Sequence, residues 1–152
     1  MASEGLINEK YGKSFKKHLL EQYKLYVRTS MEVTSGRLES NKFHLTLNSV
    51  VFGTTSYITT LTNDLVVFLF SLIGILISTV WLRNIFAYRE LNTAKFKVIH
   101  ELEGYLPASL FRTEEQHYLE KYHGLTAIEK FCPITFLVLY AVLILLVFAE
   151  IL

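Results

Sequence analysis

The groups in this 152-residue chain that could hold a metal or carry a reaction are few and scattered. They are five histidines (His18, His44, His100, His117, His123), one cysteine (Cys132) and the carboxylates. Glu114 and His117 have the i, i+3 spacing that di-iron bundles use. Such a centre needs a second copy of the pair and two more carboxylates on facing helices. The pair occurs once, so no metal is expected. Cys132 lies next to a span with no obvious activating base and reads as a packed or exposed thiol. No phosphate loop, dinucleotide fingerprint or nucleophile elbow is present. A membrane enzyme would place ionisable groups inside its spans. Only His44, Asp64 and Glu150 come near that description. The expectation is a protein with no catalytic residues, metal or cofactor.

A different chemistry is concentrated between residues 43 and 61, in FHLTLNSVVFGTTSYITTL. Thr46, Ser49, Gly53, Ser56 and Thr60 recur at spacings 3-4-3-4, a seam of small residues. His44, Asn48, Thr55 and Thr59 form an adjoining polar stripe. Phe43, Leu47, Val51, Ile58 and Leu61 are left for an apolar side. A span with about half its circumference polar should not face lipid alone. Two arrangements accommodate it. The small residues can pack closely on other helices, within or between subunits, or the polar stripe can line a water-filled passage between several copies.

The elements that must position this segment follow from where charge is missing. The chain is 51% hydrophobic and 19% charged, below the roughly 25% charge usual for soluble domains. Net charge is +1, which gives no bias toward nucleic acid, and one cysteine excludes an internal disulfide. Three stretches lack Lys and Arg: 43–61, 65–82 and 133–152. Each is about 18 to 20 residues, or about 27–30 Å as a helix, the thickness of a bilayer's hydrocarbon core. The second and third are strongly apolar. The first is supported by topology, because Thr62-Asn63-Asp64 reads as a tight turn into the second. All 15 Lys and Arg lie in residues 1–42 and 83–131. The positive-inside rule puts both segments in the cytoplasm, with the N-terminus inside and the C-terminus outside. Residues 1–30 have no apolar core, so no cleavable signal is expected.

Residues 13–42 read as an amphipathic helix with Phe15, Leu19, Tyr23, Tyr26 and Val33 on one face, joined by Leu20, Val27 and Met31. That face suits packing on other helices, and the Lys13/Lys16/Lys17 cluster would suit a membrane surface. The second span should continue into the cytosol over 83–103. Ile85, Tyr88, Leu91, Phe96, Val98, Ile99 and Leu102 share one face there, until Gly104 and Pro107 stop it. Asn92 and Lys95 interrupt that face. A buried ammonium needs a partner, with Glu32 or Glu39 of the N-terminal helix, or a neighbouring subunit, as candidates. Tyr88, Asn92, Lys95, Ile99 and Leu102 are the expected collar residues. Residues 104–124 read as loop-like and mixed. Thr126 and Glu129 fit a capping box opening a short helix that meets Pro133.

Several of these segments resemble one family. They are YKLYV at 23–27, the Gly36-Arg37-Leu38 region with Asn41-Lys42-Phe43 and Thr46-Leu47-Asn48, YRELNTAKFKVIHELE at 88–103 with Leu106-Pro107, and LTAIEKFCPITFLVLY at 125–140. Together they are similar to the RipA-like small bacterial membrane proteins, themselves related in outline to SLATT-type membrane proteins of conflict systems. The resemblance runs from about residue 19 to 145 and is most specific at Leu91–Glu103. It implies a homo-oligomer of the bacterial inner membrane, described for that family as octameric. One member is associated with intracellular growth of a pathogen, and SLATT-type relatives are proposed to form pores.

The sequence therefore predicts an all-α integral membrane protein with three transmembrane helices and a cytosolic helical collar, assembled as a homo-oligomer. Its segments are 1–42, 43–61, 65–82, 83–131 and 133–152. Three spans cannot enclose a pore alone, so a channel requires several copies around the polar first span. The rival is a non-conducting scaffold that recruits a cytosolic protein.

Overall fold

The computed structural model describes residues 11–59, 64–118 and 125–151. Four helices follow in order: α1 (Phe15–Ile58), α2 (Asp64–Glu103), α3 (Leu110–Tyr118) and α4 (Leu125–Ile151). The expected turn residues 62 and 63, and Thr60 and Leu61 at the end of the first stretch, lie outside the described residues. So do Lys121, His123 and the side chains of Thr126 and Glu150.

Gly12 takes the left-handed backbone conformation (φ 86°), and its carbonyl accepts from the Phe15 amide at the start of α1. From there no proline interrupts the chain until Pro107. α1 runs 44 residues and α2 runs 40, or about 66 and 60 Å. Both pass unbroken through positions 42/43 and 82/83, so each joins a charged half to an apolar or mixed half. α2 ends where expected. The amides of Gly104, Tyr105 and Leu106 fold back onto the carbonyls of Glu101, Leu102 and Glu103 in tight turns.

α2 is the middle helix, packed antiparallel against α1 on one side and α4 on the other. Contacts with α1 run in strict register: Tyr23 with Glu103, Thr29 with Lys95, Asn41 with Trp81, Asn48 with Ser78. Contacts with α4 do the same: Phe86 with Lys130, Trp81 with Phe136, Phe68 with Phe148. The small face of α2 makes this possible. Ser71, Gly74 and Ser78 are all buried and allow close approach on both sides.

Among the described residues, two helices are long and apolar enough to cross a membrane, α2 and Ile128–Ala149 of α4. Residues 43–61 do not qualify independently, because the Thr, Ser, Asn and Gly content noted above dilutes their apolarity. Residues 43–58 form the polar half of α1, held beside the two apolar helices.

Two expectations are corrected. Residues 104–124 are not all loop, since α3 occupies Leu110–Tyr118. The capping box at Thr126 does not open a separate short helix. α4 starts at Leu125 and continues through Pro133 as one helix. Proline is tolerated inside such helices because neighbouring groups re-satisfy the freed carbonyl.

Candidate functional site

The polar residues level with the apolar helices fall into two sets. The first is enclosed between α1, α2 and α4. Asn48 is fully buried and uses both ends of its side chain: Nδ2 donates to the His44 carbonyl at 3.0 Å, and Oδ1 accepts from Ser78 at 2.8 Å. Its backbone carbonyl accepts from the Tyr140 hydroxyl at 3.1 Å. Tyr140 reaches that carbonyl by crossing over Gly74, where a Cβ would lie 2.1 Å from the ring. One turn toward the charged halves, Trp81 donates to Asn41 at 2.9 Å and stacks on His44. In the other direction Thr55 is fully buried and turns its hydroxyl back to the Val51 carbonyl. Three helices are thus tied by neutral hydrogen bonds, which in a membrane contribute about 0.6 kcal/mol each on average and up to about 2.

The second set faces away from α2 and α4. Thr46, Ser49, Gly53 and Thr59 are exposed and Ser56 is partly so. No atom lies within 4 Å of a Cβ built on Gly53. Ser49 and Thr59 satisfy their hydroxyls on the carbonyls of Leu45 and Ser56. Asn48 and Thr55 therefore serve packing inside one chain, while the small-residue seam is what α1 presents outward.

The expected collar residues join α2 to α1 within one chain. Ile99 is fully buried and Leu102 nearly so. Tyr88 lies over Gly36, its hydroxyl 3.6 Å from where a Cβ would be. Asn92 is half-buried, with its Oδ1 enclosed and without a hydrogen-bond partner. Lys95 is corrected as to partner. It donates to the Thr29 hydroxyl at 3.1 Å and lies 4.8 Å from the centre of the Tyr26 ring. Glu32 instead pairs with Arg28 one turn away. A hydroxyl and a ring face can hold an ammonium without burying a second charge.

The sequence reading gave no role to Glu103, which is 1% exposed. Its two carboxylate oxygens accept from the backbone amides of Phe111 and Arg112, at 2.8 and 3.0 Å, and Oε1 also accepts from Tyr23. The end of α2 thus caps the start of α3, where a negative charge meets the positive end of the helix dipole. Burial, reinforced by the Glu103 hydrogen bond and charge, pushes the Tyr23 hydroxyl up to about 12 from 10.0. Arg37 of α1 pairs with Glu129 of α4, and His100 of α2 with Glu115 of α3. Nδ1 of His117 lies against the Thr113 carbonyl, turned along its own helix. Among the described residues, no group of three His, Cys, Asp or Glu could hold a metal.

Long helices with two apolar faces, a neutral hydrogen-bonded interior and all Lys and Arg gathered at one end define an α-helical membrane protein. Residues 20–149 match the octameric membrane protein family, 8xMP. That is most of the chain, and the protein belongs to this family. It is a homo-oligomeric membrane protein, in agreement with the resemblance read from the sequence. No curated protein and no solved structure matches the chain.

Proposed function

We propose that the chain assembles as three-span protomers with α1 innermost, and that the assembly conducts small solutes or ions across the membrane. One observation carries this reading. Beside the apolar helices α1 exposes Thr46, Ser49 and Gly53 in a strip between Leu45 on one side and Phe43 and Val50 on the other, whereas α2 and α4 present Leu69, Leu72, Leu76, Val138, Val142 and Leu145. The polar strip of α1 is ill suited to lipid. Turning it to a common axis gives it water or a neighbouring helix. The reading involves no catalysis and no cofactor. The Lys and Arg distribution supports a bacterial inner-membrane orientation with the charged helix ends, α3 and the N-terminus in the cytoplasm.

The test is flux from liposomes loaded with ions or a small dye. Wild-type protein is expected to release them, and Thr46→Leu with Gly53→Leu to slow release while the oligomer keeps its size. No release under any condition would overturn conduction and favour the scaffold. That second reading has one observation of its own: Asn48 and Thr55, both on the polar stripe, are consumed inside the protomer and cannot line a passage.

A further inference from the structure

Both halves of α1 expose residues ill suited to their surroundings. In the charged half Leu20, Met31 and Leu38 are exposed, Met31 to 67%. In the half beside the apolar helices Thr46, Ser49 and Gly53 are exposed. The first set is ill suited to water and the second to lipid, whereas contact with another protein helix suits both.

At about 100° per residue, the exposed residues separate into two flanks on either side of the outermost line of α1. One flank carries Leu20, Met31, Leu38 and Leu45 and continues as Ser49 and Ser56. The other carries Leu25, Phe43 and Val50. Met31, Leu38 and Leu45 recur every seven residues, as do Phe43 and Val50, which is the repeat of helices that wind on one another. Between the flanks run Lys17, Arg28, Ser35, Thr46 and Gly53.

The two flanks complement each other in three ways. In size, bulky Phe43 and Val50 answer small Ser49 and Ser56. In charge, Lys24 and Lys42 border the first flank, while Glu21 and Glu39 border the second. Between parallel copies at equal height, Lys42 of one and Glu39 of the next are offset by about one helical turn, roughly 5 Å. In angle, the flanks diverge by about 130°, and a closed ring of eight requires neighbour directions about 135° apart. The bisector points away from α2 and α4, which would then lie outside the ring and face lipid.

We infer, resting on the oligomeric reading above, that the Leu38–Leu45–Ser49 flank of α1 in one copy packs on the Phe43–Val50 flank of α1 in the next. The two helices run parallel and in register, closing a head-to-tail ring. Such an interface is heterologous: no residue meets its own counterpart. That is testable with cysteines at Phe43 and Leu45 in a Cys132→Ser background, since Cys132 is exposed. The two positions lie on nearly opposite sides of the helix and cannot join within one chain. Oxidation in native membranes is expected to give a ladder of covalent species up to the full ring from Phe43→Cys/Leu45→Cys, and no ladder from either single variant. Dimers from a single cysteine would show a two-fold contact and overturn the inference. Absence of any cross-link, with native mass spectrometry still showing an intact oligomer, would overturn the α1 flanks and leave the oligomeric reading standing. A wild-type monomer by the same measurement would overturn both.

Discussion

The α1–α2 pair keeps one register from end to end, yet its two halves are held by opposite means. Beside the apolar helices the contacts are small and neutral: Ser78 on Asn48, Trp81 on Asn41, Tyr140 over Gly74. In the charged half they are built on ions, each given a partner that spares a second buried charge. Lys95 has Thr29 and Tyr26, while Glu103 has Tyr23 and two α3 amides. The lesson concerns solvent. In hydrocarbon there is little hydrophobic drive between helices, so close approach and hydrogen bonds must hold them. In water, apolar burial does most of the holding, and charges can be admitted where partners are ready.

The largest effect should come from breaking the close approach. Gly74→Ala puts a methyl group 2.1 Å from the Tyr140 ring, which is wedged between helices and has no room to retreat. Overpacking of this kind costs about 1–3 kcal/mol, and the upper end is expected here. Tyr140 would also leave the Asn48 carbonyl. Thermal unfolding of the detergent-solubilised protein should show the loss. Adding Tyr140→Leu should recover part of it, since the obstacle would then be gone. A Gly74→Ala protein as stable as wild type would mean that the neutral half is not held by close approach.

The charged half offers a smaller break with a local readout. Glu103→Gln keeps the shape but removes the charge and one acceptor from two amides and a phenol. Leaving a buried donor unmatched costs about 1–3 kcal/mol, and the effect should centre on α3. Hydrogen exchange is expected to speed up at Phe111 and Arg112 while the Asn48 region stays protected. Uniform deprotection along the chain would show that the two halves are one cooperative unit and erase the distinction.

These two positions also mark what could be read from the sequence. The continuation of the second span over 83–103 and the apolar face of that stretch were legible because apolar periodicity speaks directly for packing. The polar stripe at 43–61 was visible too. What could not be read was its direction. Asn48 and Thr46 both fit a polar seam, and only the positions of α2 and α4 decide that Asn48 turns inward and Thr46 outward. Lys95 was correctly suspect, but a hydroxyl and a ring leave no mark of complementary charge in a sequence, so a carboxylate was sought. α3 escaped notice because its cap comes from Glu103 on the preceding helix, not from a residue at the usual position beside it.

The smallest predicted effect sharpens the comparison by pH. Tyr23 is held neutral in the folded chain, with its pKa raised to about 12 by burial and by the Glu103 carboxylate. Its value in an unfolded chain is near 10. Folded protein therefore binds the phenolic proton more tightly than unfolded protein does. The resulting stability is complete below pH 10 and is lost as pH rises from about 10 toward 12. Tyr23→Phe removes one hydrogen bond, about 1 kcal/mol at neutral pH. It also removes this source of alkaline loss, so the melting curves of wild type and variant should converge as pH climbs through that window. Because the phenol touches Glu103, the alkaline effect should appear first as faster exchange at the α3 amides. A constant gap between the two proteins from pH 8 to 11.5 would show that burial and the Glu103 carboxylate do not hold the Tyr23 proton in the folded chain.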